Sequence, residues 1–417
     1  MPIASVNPAT GRIERVFPAI GAAEIERFVD EADRTFGELR ATTFATRAAW
    51  LQAAADILEH EAIPVAETVT AETGKTLASA FDEVRGSVAM ARWYAEHAEA
   101  LLADEPIADP HAMRAYIHKR PLGPLLAVVP WHFPLWQVMR FAAPALLAGN
   151  TGLLRHAPNV PRTALFLCDL FARAGFPKGV FQTLLVESDP IADGRIVRRI
   201  VTDPGGGAGF VVLPSADLER AATVAVTSRC HNNGQSPVAA QRFVVHRDVS
   251  ARFAELFVAK MAELVVGDPT DSRTDIGPLA TEGGLAEVEA LVADAIARGA
   301  TVSHAGRRPD GPGWYYPPTV LTGVDESMRM FRDDVQGPVA QLYEVPDIDT
   351  AIRIANATRF GRGAAVWTDE ESDLQRCVRE LEARAVYVNG MAAPCPEPPF
   401  GGITEFCDVQ TVRIEPS

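Results

Sequence analysis

The sequence predicts an α/β fold made of two parallel α/β domains, and three observations carry that expectation. Short apolar runs alternate with helical stretches from Leu125 onward, and a second such alternation starts near Leu218. The chain's 417 residues also exceed what one compact core accommodates.

The elements read in order as follows. After a turn-rich opening at Asn7–Gly11, residues Ile25, Phe28, Val29, Ala32 and Phe36 keep the spacing of an amphipathic helix. Further helices are expected over Ala45–Glu61, Val65–Thr73 and Leu77–Leu102, with Gly74 capping the second of these. Leu125–Val129 then reads as a buried strand, Trp136–Ala148 as a helix, Thr151–Leu154 as a strand, Thr163–Ala174 as a helix and Val180–Val186 as a strand. In the second region, helices are expected over Leu218–Arg229, Ser250–Leu264 and Gly284–Gly299. Strands follow at Thr301–Ser303, Val339–Val345, Ala364–Trp367 and Ala385–Val388. Ala112–His118 and the tail Phe406–Ile414 alternate like edge strands.

Composition narrows the function. Hydrophobic residues at 47% and charged residues at 22% are ordinary for a soluble globular chain. A net charge of -15 argues against non-specific contact with nucleic acid or an anionic membrane. The most apolar stretch, Leu122–Leu154, is interrupted by Pro130, His132, Pro134, Arg140 and Pro144, so it is not a simple membrane span. Five scattered cysteines without a CxxC spacing fit a reducing cytoplasm better than a disulfide framework or a zinc site. The N-terminus lacks the basic and apolar regions of a signal peptide, so a cytoplasmic location is expected.

Several motifs follow one another in a recognisable order. They include Gly123-Pro124-Leu125-Leu126-Ala127-Val128-Val129-Pro130-Trp131-His132-Phe133-Pro134-Leu135-Trp136-Gln137, then Ala143-Pro144-Ala145-Leu146-Leu147-Ala148-Gly149-Asn150 and Gly175-Phe176-Pro177-Lys178-Gly179. Asn232-Asn233-Gly234-Gln235-Ser236, Asp275-Ile276-Gly277-Pro278-Leu279 and Pro399-Phe400-Gly401-Gly402 continue the series. Together they resemble the aldehyde dehydrogenase superfamily over nearly the whole chain, and within it the succinate-semialdehyde dehydrogenases most.

The resemblance implies that fold, with two parallel α/β domains, a β oligomerisation arm and a truncated cofactor domain. Residues 1–106 and 124–215 would form a degenerate cofactor-binding domain and residues 216–385 the former catalytic domain. Residues 107–123 and 386–417 would supply oligomerisation strands. It also implies an oxidation in which a cysteine thiolate attacks the aldehyde, hydride leaves to a nicotinamide, and a glutamate activates water.

Position by position, this chain departs from that chemistry. Pro237 stands where the family's nucleophilic cysteine follows Gln-Ser, and it has neither a thiol nor a backbone N–H for an oxyanion. His132 replaces the asparagine of Pro-Trp-Asn-Phe-Pro, either as a working donor and proton carrier or as a passive filling of the same space. Between Ile191 and Leu218 the chain is shorter than the family pattern. The helix that receives the pyrophosphate and the Glu-Leu-Gly-Gly segment carrying the base are missing, and Gly205–Gly209 reads as a splice. The family's Glu-x-Phe-Gly-Pro becomes Asp334-Val335-Gln336-Gly337-Pro338, and its cofactor-ribose lysine becomes Arg155.

These departures lead to an expectation of a non-oxidative, repurposed protein of this fold. It would bind a small carbonyl or carboxylate compound in the old tunnel, with acid/base chemistry such as cyclisation, dehydration or isomerisation. The alternatives are a pseudoenzyme scaffold partnering an active enzyme and a residual NAD(P)-dependent semialdehyde dehydrogenase. No cofactor and no metal are expected, NAD(P) binding being lost or weak. The partners expected are a small-molecule ligand and a second copy of the chain or an active enzyme. His132, His231 and Cys395 are the catalytic candidates. Trp131, Trp136, Gln137, Arg140, Asn232, Pro237 and Met391 are the substrate-lining candidates, and Arg155, Asp334 and Gln336 the degenerate cofactor positions. Arg140 either grips a substrate carboxylate or serves a structural ion pair. Cys230 is expected to pack in the core.

Overall fold

The structure is a computed structural model, and it describes residues 3–109, 113–186, 198–201, 208–358, 361, 363–391 and 402–415. Cys395 therefore lies outside the described residues, as do residues 191–197 and 202–207 of the segment expected to be shortened.

Two parallel sheets organise the chain, as the alternating pattern predicts. The first has four strands in the order Phe181–Thr183, Thr151–His156, Pro124–Val129 and Arg198–Val201, all paired in parallel. Parallel strands need crossovers, and the helices Trp136–Ala148 and Pro161–Arg173 supply them. Helix Trp136–Ala148 is buried from Phe141 to its end, which its run of Ala, Leu and Pro residues requires. Asn150 locks its exit: its side chain accepts from Gly123 N at 2.9 Å and donates to Phe406 O at 2.9 Å, tying strand, helix end and tail together.

The second sheet has seven strands, ordered Thr301–Ala305, Thr319–Thr322, Val339–Val345, Ala240–His246, Ala208–Val212, Ala364–Trp367 and Val386–Val388. Only the Thr301–Ala305 edge runs antiparallel. Here the sequence reading is incomplete. The central strand Ala240–His246 went unread because Gln241 and Arg242, both buried, interrupt its apolar run. Ala208–Val212 also belongs to this sheet, so a division at residue 215 does not coincide with the boundary between sheets. The same holds for Val386–Val388, assigned above to the oligomerisation strands.

The third sheet is antiparallel, with Cys407–Ile414 on Arg114–Pro121 and the short Glu105–Pro106 beyond it. No helix among the described residues is long and apolar enough to cross a membrane.

Candidate active site

The first sheet creates a cleft by its topology. Pro124–Val129 lies between Thr151–His156, which follows it in sequence, and Arg198–Val201, reached later on the other side. Loops leaving the carboxyl ends of strands diverge at such a reversal, and ligands bind there. Trp131, His132 and Phe133 leave that end of the central strand and turn into helix Trp136–Ala148.

A buried ion pair clamps this turn. Lys75 and Glu83 are fully buried at the side chain and 2.5 Å apart. Lys75 Nζ also donates to His132 O at 2.9 Å and lies 4.3 Å from the centre of the Phe133 ring. Glu83 Oε1 accepts the backbone N–H groups of Leu135 and Trp136 at 2.7 and 3.0 Å. Those groups begin a helix and have no intrahelical acceptor, so the carboxylate satisfies them and favours the helix dipole. Burial lowers the Lys75 pKa below the usual lysine range, and the Glu83 charge opposes that.

Beyond the clamp, helix Trp136–Ala148 has a single open stripe. Trp136, Gln137 and Arg140 are half-buried, and every other residue of the helix is buried. Their spacing places them along one side of the helix. Arg140 acts electrostatically on Tyr94, whose hydroxyl burial pushes up to about 12 with Arg140 pulling it down and Glu405 pushing it up.

The second wall is the loop after helix Leu218–Cys230. Asn232 (φ 55°), Asn233 (φ 57°) and Gly234 (φ 77°) take left-handed backbone in succession. Asparagine tolerates this region and glycine has no Cβ to clash. A Cβ at Gly234 would collide with Gly337 and Pro338, so the loop packs directly on the third wall. Asn232 donates to His132 O at 2.8 Å, and Asn233 donates to Gly74 O and Pro278 O at 2.8 and 2.9 Å. Pro237 is buried in the turn that follows. His231 packs its ring 5.4 Å from that of Phe133; burial first, then the Lys75 charge, lowers its pKa to about 4.

Cys230 sits as expected: its thiol contacts Met261 Sδ at 3.7 Å, and burial pushes it up to about 12. A thiol held that far from ionisation is no nucleophile at neutral pH.

The third wall is the segment Asp334–Pro338. His132 Nε2 meets Gln336 Oε1 at 3.1 Å, and Gln336 Nε2 donates to Asp334 Oδ2 at 3.1 Å. Gln241 Nε2 donates to Asp334 Oδ1, while Gln241 Oε1 accepts from Val335 N at 3.1 Å. His132 is 3% exposed, packs with its ring centre 4.2 Å from that of Trp131 at a tilt of 33°, and its Nδ1 is buried with no protein partner among the described residues. Burial lowers its pKa to about 4, with Gln336 and Asp334 opposing the shift. The imidazole is therefore neutral near pH 7, with one nitrogen engaged and the other open.

The structure thus joins Trp131, His132, Asn232, Asp334 and Gln336 in one contact network, with His231 attached through Phe133. Arg155 lies apart, at the end of Thr151–His156 opposite Val128, and its Nε is a buried donor without a protein partner among the described residues. Met391 is half-buried just after Asn389, beyond the end of strand Val386–Val388. Sequence reading missed Lys75, Glu83, Gln241 and Arg229. Charged or polar residues in helical or alternating runs read as surface, and only the tertiary fold buries these. Arg229 is fully buried and donates to Gly234 O and, at 3.4 Å, to Val335 O, linking the second and third walls. Among the described residues no group of three His, Cys, Asp or Glu side chains could hold a metal ion.

Comparison with known proteins changes the functional expectation. The model of the aldehyde dehydrogenase family matches residues 1–204 and 191–405, two stretches that meet in the segment read as shortened. An NADP(+) succinate-semialdehyde dehydrogenase of Mycobacterium bovis is 47% identical over 456 residues, covering 99% of this chain and 100% of that protein. The alignment is longer than this chain, so the relative carries residues without a counterpart here, but the coverage keeps any truncation small.

Among solved structures, succinic semialdehyde dehydrogenase from Streptococcus pyogenes in complex with NADP+ superposes with a TM-score of 0.94 at 26% identity. It covers 99% of this chain and 100% of that one. Succinate-semialdehyde dehydrogenase from Burkholderia pseudomallei superposes with a TM-score of 0.94 at 30% identity, covering 100% and 95%. These likenesses overturn three expectations: a repurposed non-oxidative function, a pseudoenzyme outside redox chemistry, and the absence of a cofactor. Each rested on local departures, Pro237, Gln336 and the shortened segment between Ile191 and Leu218 among them, and each gave those departures more weight than the similarity of the whole chain supports.

Proposed function

Because the chain belongs to the aldehyde dehydrogenase family, we propose that it is an NADP(+)-dependent semialdehyde dehydrogenase that works without a cysteine at position 237. The observation that carries this reading is the 47% identity to an NADP(+) succinate-semialdehyde dehydrogenase over 99% of the chain.

The residues present fit a phosphate-bearing dinucleotide at the sheet's reversal. Arg155 Nε is a buried donor with no protein acceptor among the described residues, at the carboxyl end of a parallel strand. When bound there, NADP+ supplies the acceptor for the hydride that a hydrated aldehyde gives up on becoming a carboxylic acid.

The chain's own residues do the rest. Pro237 offers no thiol and Cys230 is held un-ionised, so the hydrate, rather than a thioester, is the form these residues suit. His132, neutral near pH 7, offers Nδ1 to a hydrate hydroxyl and can take its proton as the acid forms. Trp131 packs its ring against the imidazole, and Asn232 and Lys75 fix its backbone carbonyl. Arg140, on the open stripe with Trp136 and Gln137, grips the distal carboxylate of the semialdehyde. His231 and Met391 line the approach, with Asp334 and Gln336 behind the imidazole. The antiparallel sheet with Cys407–Ile414 at its edge would pair subunits of a homo-oligomer, and the protein would work in the cytoplasm.

The test is NADPH formation from succinate semialdehyde and NADP+, with NADP+ binding measured by calorimetry. Turnover that survives Cys395→Ser supports the hydrate route. Turnover abolished by that change assigns the chemistry to a thiol, and no NADP+ binding at all would overturn the reading.

A further inference from the structure

His132, Gln336, Asp334 and Gln241 form a hydrogen-bonded chain whose every orientation is set by its far end. The backbone N–H of Val335 can only donate, so Gln241 presents its oxygen there and its NH2 to Asp334 Oδ1. The Asp334 carboxylate only accepts, so Gln336 must present its NH2 to Oδ2 as well. That leaves Gln336 Oε1 facing His132 Nε2 at 3.1 Å. A carbonyl oxygen cannot donate, so the imidazole must carry its proton on Nε2. Its Nδ1 is then a bare acceptor, more than nine-tenths buried with its ring and without a protein partner among the described residues.

We propose that Asp334 and Gln336 are positioning residues that lock His132 as the Nε2–H tautomer, so that its Nδ1 receives a hydrogen bond from a hydroxyl of the ligand, the hydrate of an aldehyde. An amide is needed at position 336 for this. A carboxylate there would draw a second proton onto the ring, and an apolar side chain would leave the tautomer unset. The opposite tautomer would offer that hydroxyl a donor in place of an acceptor. The ligand half of this proposal rests on the dehydrogenase reading; the tautomer half does not.

Protein labelled with 15N-histidine and observed by long-range proton–nitrogen correlation tests it, with His132→Asn to assign the resonance. The expected spectrum near pH 7 shows the Nε2–H form alone for His132, and a mixture of tautomers in Gln336→Leu and in Asp334→Asn. An Nδ1–H form in the wild type, or an unchanged tautomer in correctly folded Gln336→Leu, overturns the lock. Should either variant fail to fold, the wild-type spectrum still decides. Adding succinate semialdehyde should then move the Nδ1 resonance of His132. If NADPH forms while that resonance stays fixed, the ligand contact is wrong and the dehydrogenase reading stands. If the resonance moves and no NADPH forms, the contact stands and the dehydrogenase reading fails.

Discussion

Two histidines on neighbouring parts of the first sheet separate a structural role from a chemical one. His156 ends the strand Thr151–His156, and His132 lies in the turn beyond the adjacent strand. Both are under one-tenth exposed, and burial lowers both pKa values to about 4. They differ in their hydrogen bonds. His156 donates from Nε2 to Pro134 O at 3.1 Å and accepts at Nδ1 from Ala157 N at 2.9 Å, so both nitrogens are used. His132 uses one and leaves the other open. Burial and a displaced pKa therefore do not mark the site by themselves. Between these two rings the unmade hydrogen bond is the difference, because a buried polar atom without a partner costs stability unless something else employs it.

The clamp under His132 carries the largest expected effect. Lys75→Met leaves Glu83 buried and uncompensated, which should destabilise the fold by about 3–5 kcal/mol in a denaturant titration. Glu83 has no other charged partner within 4 Å among the described residues, so the Lys75→Arg variant should recover part of that loss. Next comes His132→Ala. Removing a proton acceptor should lower kcat about 100-fold, and leaving Gln336 Oε1 unpaired should cost about 1–3 kcal/mol of stability. His156→Ala should cost a similar amount of stability, about 1–3 kcal/mol, because Pro134 O loses its partner while Ala157 N keeps Val129 O, and it should lower kcat little. Equal kinetic losses in the two variants would erase the distinction.

The fold was largely readable because hydrophobic periodicity survives wherever side chains pack on one face. Trp136–Ala148, Val339–Val345 and Ala364–Trp367 fall within the bounds read from the pattern. What escaped was the structure made by buried polar groups. Ala240–His246 carries Gln241 and Arg242 inward, against Asp334 and Phe331 O, and these two polar residues break the apolar run that would mark a buried strand. For the same reason Lys75 and Glu83 were invisible as a clamp: eight residues apart in sequence, they meet because Lys75 lies in the link just before helix Leu77–Leu102 and Glu83 is among that helix's buried residues. His132, Gln336 and Asp334 were legible singly, as residues unlike the family's. Read one at a time they looked like losses. Their contact with one another, which turns them into one network, belongs to the tertiary structure.

The smallest effect is also the one that compares the two histidines most directly. Each has a folded-state pKa near 4 against an ordinary value near 6.5, so between those limits the unfolded chain binds more protons than the folded one. Their contribution to stability is thus fully present above about pH 6.5 and is lost as pH falls towards 4, at about 1.4 kcal/mol per pH unit for each ring. Urea titrations from pH 7 to 4 should show this slope, and His156→Phe and His132→Phe should each make it shallower by the same amount. A hydroxyl donor on Nδ1 holds the neutral ring and pushes its pKa further down. Saturating succinate semialdehyde should then extend the low-pH limb for the wild type and for His156→Phe, but not for His132→Phe. A ligand effect of equal size in all three proteins would show that the open nitrogen of His132 is not where the substrate hydroxyl binds.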